Sequence, residues 1–293
     1  MNHKSTVYLF LATFCLLSLS ACSCTIIGMN RIKPSKAQSE ITTEFKTLKG
    51  VMSSLPFDMV LTQHPQEVAS IKMTGPNNYI ELVHVDYSDG ILSLRLPPRT
   101  YVTKPEALKI YINVHDLQKA GVSGTGDMYL QGAFHVTDSK ISSSGTGDYI
   151  AQGTFDFKTL DINNSGTGDV TFKNHHGRKI TIHDSGTGEV YMTGISESID
   201  ASTSGTGDVY LSGTSQEVGL RTSGTGDITG KNLTVQDARL HTSGTGDISC
   251  TVINTIDAST SGTGDVTIYG QPKRLQTRES GTGDIDFRPL SKK

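Results

Sequence analysis

The pentapeptide Ser-Gly-Thr-Gly-Asp, once with Glu in place of Asp, occurs nine times between residues 123 and 284. Its serines stand at 123, 144, 165, 185, 204, 223, 243, 261 and 280, so the intervals run from 18 to 21 residues. A fixed period of this size means a solenoid, a propeller or an array. Helix-pair repeats need more than about 30 residues per unit, and the Leu/Asn spacing of leucine-rich repeats is absent. A strand–turn–strand unit of about 20 residues fits one coil of a β-helix.

The residues between the motifs support that reading. Apolar residues stand five and three positions before each motif Ser, as in Leu160/Ile162, Ile180/Ile182 and Val218/Leu220. Two more follow one and three positions after the acid, as in Val170/Phe172, Val190/Met192 and Val209/Leu211. Of these 36 positions, 32 are apolar, which makes the alternation a rule of the repeat. Period-2 alternation turns one face inward and one outward. Coils stacked about 4.8 Å apart then make each column a ladder of like side chains. Residues 106–271 hold no proline, as expected where every backbone N–H joins a ladder.

Eighteen of the 31 glycines belong to the motif, so the rest of the chain is not glycine-rich. Glycine is absent from the strict third positions of collagen. Apolar residues between the motifs argue against a flexible linker. The motif has a structural explanation: glycines admit φ > 0 at a sharp corner, and Asp, Ser and Thr accept turn hydrogen bonds. Calcium is the competing explanation. One column of acids (Asp127, Asp148, Asp169, Glu189, Asp208, Asp227, Asp247, Asp265, Asp284) would repel by just under ~1 kcal/mol per neighbouring pair in water. Calcium takes oxygen ligands and would offset this. The calcium repeat Gly-Gly-x-Gly-x-Asp differs, because here no residue separates the second Gly from the acid. The column Thr125, Thr146, Thr167, Thr187, Thr206, Thr225, Thr245, Thr263 and Thr282 is a single one at a corner. It does not make the flat two-column face of an ice-binding solenoid.

Outward positions supply a candidate ligand face. Tyr129, Tyr191 and Tyr210 stand two residues after the acid, and Tyr191 and Tyr210 in adjacent coils would form a flat stacking platform for sugar rings. Two residues before the motif Ser, His183, Arg221, His241 and Arg278 form a basic stripe suited to an acidic glycan, or simply a solvated face. His175-His176 is an adjacent pair without a partner at zinc-type spacing. Gly-x-Ser-x-Gly, His-Glu-x-x-His and phosphate-loop patterns are absent. Coils of 18–21 residues leave little loop for the cleft of a polysaccharide-active β-helix enzyme. No catalytic residue is assigned, and no nucleic-acid partner is expected.

Residues 1–21 read as an export signal: His3 and Lys4 open it, and Val7 to Leu19 form an apolar run too short to span a bilayer. Leu19-Ser20-Ala21-Cys22 is similar to a bacterial lipobox, so Cys22 would carry lipid, and Ser23 in place of Asp favours the outer membrane. Residues 22–44 would be a tether. Residues 45–120 hold strand patterns without the motif, with a turn at Asp89-Gly90, and would be a cap plus degenerate first coils of the same domain as 121–288. Residues 289–293 form a tail, and Arg288, Pro289, Lys292 and Lys293 would blunt the last edge. Cys250 occupies a core column and reads as a small hydrophobe.

The order lipobox, β-rich lead (Phe57-Asp58-Met59-Val60-Leu61-Thr62-Gln63, later Leu108-Lys109-Ile110-Tyr111-Ile112) and serial Ser-Gly-Thr-Gly-Asp coils resembles the bacterial "putative auto-transporter adhesin, head GIN domain" family. The resemblance spans about residues 45–288 and implies a β-solenoid on an exported, often lipid-anchored protein. The expected fold is all-β: a right-handed parallel β-helix, or β-solenoid, with about 20 residues per coil and an N-terminal β-rich cap. The expected function is a non-enzymatic, adhesin-like module for glycan or protein, anchored in the outer membrane. The alternative is a structural spacer or scaffold lipoprotein. The motifs carry nine of the 29 acids, against 26 Lys and Arg in the whole chain, which places an acidic edge on a basic body.

Overall fold

A computed structural model describes residues 30–290 and is almost wholly β. Strands run in parallel register from coil to coil. Leu160, Ile180, Ile199, Val218, Ala238 and Ile256 form one inward column, and Val170, Val190, Val209, Ile228, Ile248 and Val266 another. All twelve are buried. The nine motif corners bound eight turns of a β-solenoid, and the core is the continuous stack of these columns. Each buried Val, Leu or Ile contributes about 1.5–3 kcal/mol, so the apolar alternation drives the coiling. Changes in coil length fall on the third side of the coil. The register shifts there, between Phe172 and His175, Tyr210 and Ser212, Gly230 and Thr234, and Val235 and Asp237. The two sides flanking the motif keep their register. Cys250 pairs with Gly230 and Ile268 in the core, and burial pushes its thiol up to about 12.

The N-terminal cap is built on the same plan. Gly50–Ser53 and Met59–Gln63 pair in parallel beneath the first motif coil. In that register Ser54-Leu55-Pro56-Phe57-Asp58 lies under Ser123-Gly124-Thr125-Gly126-Asp127, a motif without its glycines. Ile91–Arg95 and Lys109–Val114 add a further layer. Antiparallel strands then close the stack: Ala69–Pro76 on Lys109–Val114, Gln38–Phe45 on Ala69–Pro76, and His84–Ser88 on Ile91–Arg95 across the Asp89-Gly90 turn. The tether expected over 22–44 does not hold for two described parts of that span. Asn30–Ile32 pairs with Thr100–Val102, and Gln38–Phe45 is the outer strand of the cap. These segments hold enough alternating residues to add to an existing sheet edge, so they do not remain free chain. Residues 1–29, with the signal and Cys22, lie outside the described residues, as do Lys292 and Lys293.

The other end is open. Leu275 and Phe287 occupy core columns, yet they are 58% and 44% exposed, because among the described residues no further coil lies over them. Truncation should therefore be unequal along one ladder. Leu220→Ala should cost about 2–5 kcal/mol in urea denaturation and Leu275→Ala less than about 1 kcal/mol. Equal costs would mean that the last coil is covered in solution.

Candidate functional site

The corner is where the motif acts. The first glycine of each motif presents its carbonyl to the next coil, where two N–H groups share it. Thr146 and Gly147 donate to the Gly124 oxygen at 3.0 and 3.2 Å, and the pattern repeats up the stack to Thr282 and Gly283 on Gly262. A Cβ on any of the eighteen motif glycines would lie 2.0–2.3 Å from a carbonyl oxygen of the coil beneath. None of them has φ in the left-handed region. The expectation that φ > 0 requires these glycines is thus corrected: close approach of stacked backbones requires them.

The acids form a hydrogen-bonded ladder. The Asp148 N–H donates to Asp127 Oδ1 at 2.9 Å, Asp169 N–H to Asp148 Oδ1 at 2.8 Å, and Glu189 N–H to Asp169 Oδ1 at 2.8 Å. The same bond joins Asp227 to Asp208, Asp247 to Asp227, Asp265 to Asp247 and Asp284 to Asp265. It begins in the cap, where Asp127 N–H donates to Asp58 Oδ1 at 3.0 Å. These amide bonds pull against the carboxylate repulsion. Burial first, and the neighbouring acids after it, still hold Asp148 and Asp227 above the usual carboxylate range, while the amide bonds from Asp169 and Asp247 pull them back. Among the described residues, no group of three or more His, Cys, Asp or Glu side chains is arranged to hold a metal ion.

A second polar column lies inside the corner, immediately before the motif Ser. Ser143, Asn164, Asp184, Thr203, Thr222, Thr242 and Thr260 are all buried. Thr222, Thr242 and Thr260 donate their hydroxyls to the second motif glycine carbonyl of their own coils, Gly226, Gly246 and Gly264, at 2.9–3.0 Å. Sequence reasoning missed this column. Its signal was present as the Thr-Ser-Gly-Thr-Gly-Asp form of four motifs.

The candidate ligand face is rearranged. Tyr191 and Tyr210 stack on each other, with centroids 4.8 Å apart and planes at 9°. Their separation equals one coil spacing, so the two rings lie face to face along the stack. The flat platform expected from this pair is not formed, because each ring covers a face of the other. The hydroxyls turn back to their own acids: Tyr129 on Asp127 and Tyr210 on Asp208 at 2.9 Å, and Tyr191 on Glu189. Burial first and the Asp127 bond second push the Tyr129 phenol up to about 12. At Tyr210 the Asp208 bond leads, with the same result. The basic stripe is paired. Arg221 Nη1 lies 2.6 Å from Asp200 Oδ1 and Arg278 Nη1 lies 3.4 Å from Asp257 Oδ1, while His183 and His241 bond Ser202 and Ser259 at 2.8 Å. Lys140 lies 3.5 Å from Asp161 Oδ2. Both arginines of the stripe are thus engaged with a carboxylate of the coil beneath, so they do not stand free for an acidic glycan. His175 turns inward, and burial lowers it to about 4. His176 turns outward to Asp156, which also meets His135 Nδ1 at 2.8 Å. The adjacent histidines thus occupy opposite faces of one strand.

With this geometry the chain can be set beside known proteins. The family model described as "Putative auto-transporter adhesin, head GIN domain" matches residues 47–174 and again 161–272. The crystal structure of a protein described as a "putative adhesin" from Parabacteroides distasonis is 16% identical with a TM-score of 0.69, covering 88% of this chain and 100% of that one. Another, described as a "Putative lipid binding protein" from the same species, is 17% identical with a TM-score of 0.68 and the same coverage. A third, described as a "putative adhesin" from Parabacteroides merdae, is 16% identical with a TM-score of 0.68, covering 87% of this chain and 98% of that one. At these identities the likeness shows a shared fold. No curated protein matches the chain. Among the described residues no helix is long and apolar enough to cross a membrane.

Proposed function

The chain belongs to the "Putative auto-transporter adhesin, head GIN domain" family, and from that premise we propose that it is a non-enzymatic binding module of the cell envelope, held in the outer membrane by lipid on Cys22 and presenting its outward sheets to a glycan or protein. The observation that carries this reading is the form of the surface. Parallel strands from Phe155 to Thr260 run 10–15 residues each, and the register shifts lie on one side. Two broad, regular faces remain, with no long loop to form a catalytic cleft. Such faces suit extended ligands that repeat at the coil spacing. The bonded acid ladder and the paired surface charges favour a second reading, in which the solenoid is a stiff spacer.

Two measurements test the proposal. Intact-mass analysis of the mature protein should find a chain beginning at Cys22 and carrying acyl groups, lost in Cys22→Ser. A lipid-free start elsewhere would refute the anchor. Protease treatment of intact cells should remove the solenoid if it faces outward. Protection, together with the absence of any captured glycan or protein, would leave the spacer reading.

A further inference from the structure

The column two residues past the acid reads, from cap to end, Tyr111, Val60, Tyr129, Ile150, Thr171, Tyr191 and Tyr210. Tyrosines on neighbouring strands close on each other, as Tyr191 and Tyr210 do at 4.8 Å. Tyr111 and Tyr129 are instead separated by the strand of Val60. Two strand spacings set them about 9.6 Å apart. A ring held between two aromatic faces needs about two carbon contacts of 3.5–4.0 Å each, so this interval admits one ring and no more. Both tyrosines line the same groove of about 290 Å³, with the short Val60 side chain between them. Tyr111 is 47% exposed.

The ends of the groove are polar. Lys109 and Asp58 flank it on the side of the acid column, and Gln131 and Gln152 on the other. Among the described residues neither glutamine amide nor the Lys109 amine has a hydrogen-bond partner within the chain, and Asp58 spends only Oδ1, on the Asp127 N–H. An apolar slot one ring wide, with unspent donors and acceptors at both ends, matches a sugar ring. The C–H faces of the sugar meet the aromatic rings and its hydroxyls meet the amides and the carboxylate. An aromatic peptide side chain would fill the slot but leave the amides without partners. The acids Asp58, Asp127 and Asp148 along one edge disfavour an anionic sugar, with Lys109 the one cation lining the groove.

Resting on the binding-module reading, we propose that the slot between Tyr111 and Tyr129 is a subsite for one ring of a neutral saccharide. Tyr129 is set for this role, since its hydroxyl is fixed on Asp127 and its ring need not be ordered on binding.

The test is saturation-transfer NMR and calorimetry on the full mature chain in detergent. The probes are neutral oligosaccharides of mannose, glucose, galactose and N-acetylglucosamine. Binding by one of them should weaken at least about tenfold in both Tyr111→Ala and Tyr129→Ala, and remain unchanged in Tyr191→Ala. Val60→Trp, which fills the slot without removing either aromatic, should block binding while the melting curve stays cooperative. Failure of every saccharide to bind, or equal loss in Tyr191→Ala, overturns the subsite. If a protein partner is captured and lost in the Tyr111 and Tyr129 variants, the slot is reassigned to protein and the binding-module reading stands. If nothing is captured at all, both fail.

Discussion

Gly166→Ala is expected to destabilise the solenoid by at least about 3 kcal/mol, at the top of the range for overpacking in a core. The added Cβ would stand 2.2 Å from the Gly145 oxygen and 2.8 Å from the Ser144 carbonyl carbon. Both are backbone atoms and cannot rotate away. That oxygen also accepts the N–H groups of Thr167 and Gly168, at 2.9 and 3.3 Å. Separating the coils to admit a methyl group would stretch two hydrogen bonds on one corner and those of the flanking strands. Because each coil touches only its neighbours, the damage should open the stack locally rather than unfold it at once. Hydrogen exchange should show lost protection in the coils of Gly145 and Gly166 before the rest. Gly219→Ala is the control. Its Cβ would meet nothing nearer than Asp200 Oδ1 at 3.3 Å, and its φ is not left-handed, so the variant should melt within about 1 kcal/mol of the parent. A Gly166→Ala protein as stable as Gly219→Ala would remove close approach as the reason for the motif.

That reason was only partly legible in the sequence. The columns through Leu160, Val170 and their equivalents were readable because two signals, alternation and a fixed period, agreed at the same positions. The need for glycine was readable, but its cause was not. A corner requiring φ > 0 and a backbone pressed against the coil below demand the same residue, and only the stacked carbonyls tell them apart. The degenerate motif Ser54 to Asp58 was hidden for the complementary reason. Leu55 and Phe57 are fully buried, and Phe57 meets Tyr79 at 5.5 Å between ring centroids, so core side chains stand where the later motifs carry glycine. What remained of the signal was a Ser and an Asp four residues apart. At the candidate site the residue types were found and their relations were not. Arg221 reaches Asp200 and Tyr191 meets Tyr210 across coils, at separations of 21 and 19 residues. Tyr111 escaped notice because its strand carries no motif to number it from. Its place beside Val60 depends on the register of the cap.

Asp184→Asn should stabilise the protein at neutral pH, by up to about 3 kcal/mol, although it changes only one oxygen to nitrogen. Asp184 is 2% exposed in the polar column inside the corner, where four later coils carry Thr. As a carboxylate it has no proton to donate to the glycine carbonyl of its own coil. Asn164, one coil below, supplies that bond from Nδ2 to Gly188 at 3.1 Å. The bonds that the carboxylate receives from Gly186 N–H, at 3.4 Å, and from the Thr203 hydroxyl, at 3.3 Å, are long. Burial pushes its pKa up from 3.8 to about 6, the bonds from Gly186, Thr203 and Asn164 pull the other way, and the Asp208 charge adds to the rise. The sign follows from linkage. Below the unfolded value both states hold the proton and ionisation costs nothing. As pH rises toward the folded value, the unfolded chain ionises first, and stability falls by about 1.4 kcal/mol per unit. Above about 6 the penalty is complete and constant. Other raised carboxylates, Asp148, Glu189 and Asp227, add their own pH dependence, but they are common to both proteins. The difference between parent and variant therefore isolates Asp184. Urea denaturation should show it growing from near zero at pH 4 to its full value by pH 7. A variant that is no more stable than the parent at pH 7.5, or a gap that ignores pH, would mean that the Asp184 carboxylate finds solvation in the corner which its long hydrogen bonds do not supply.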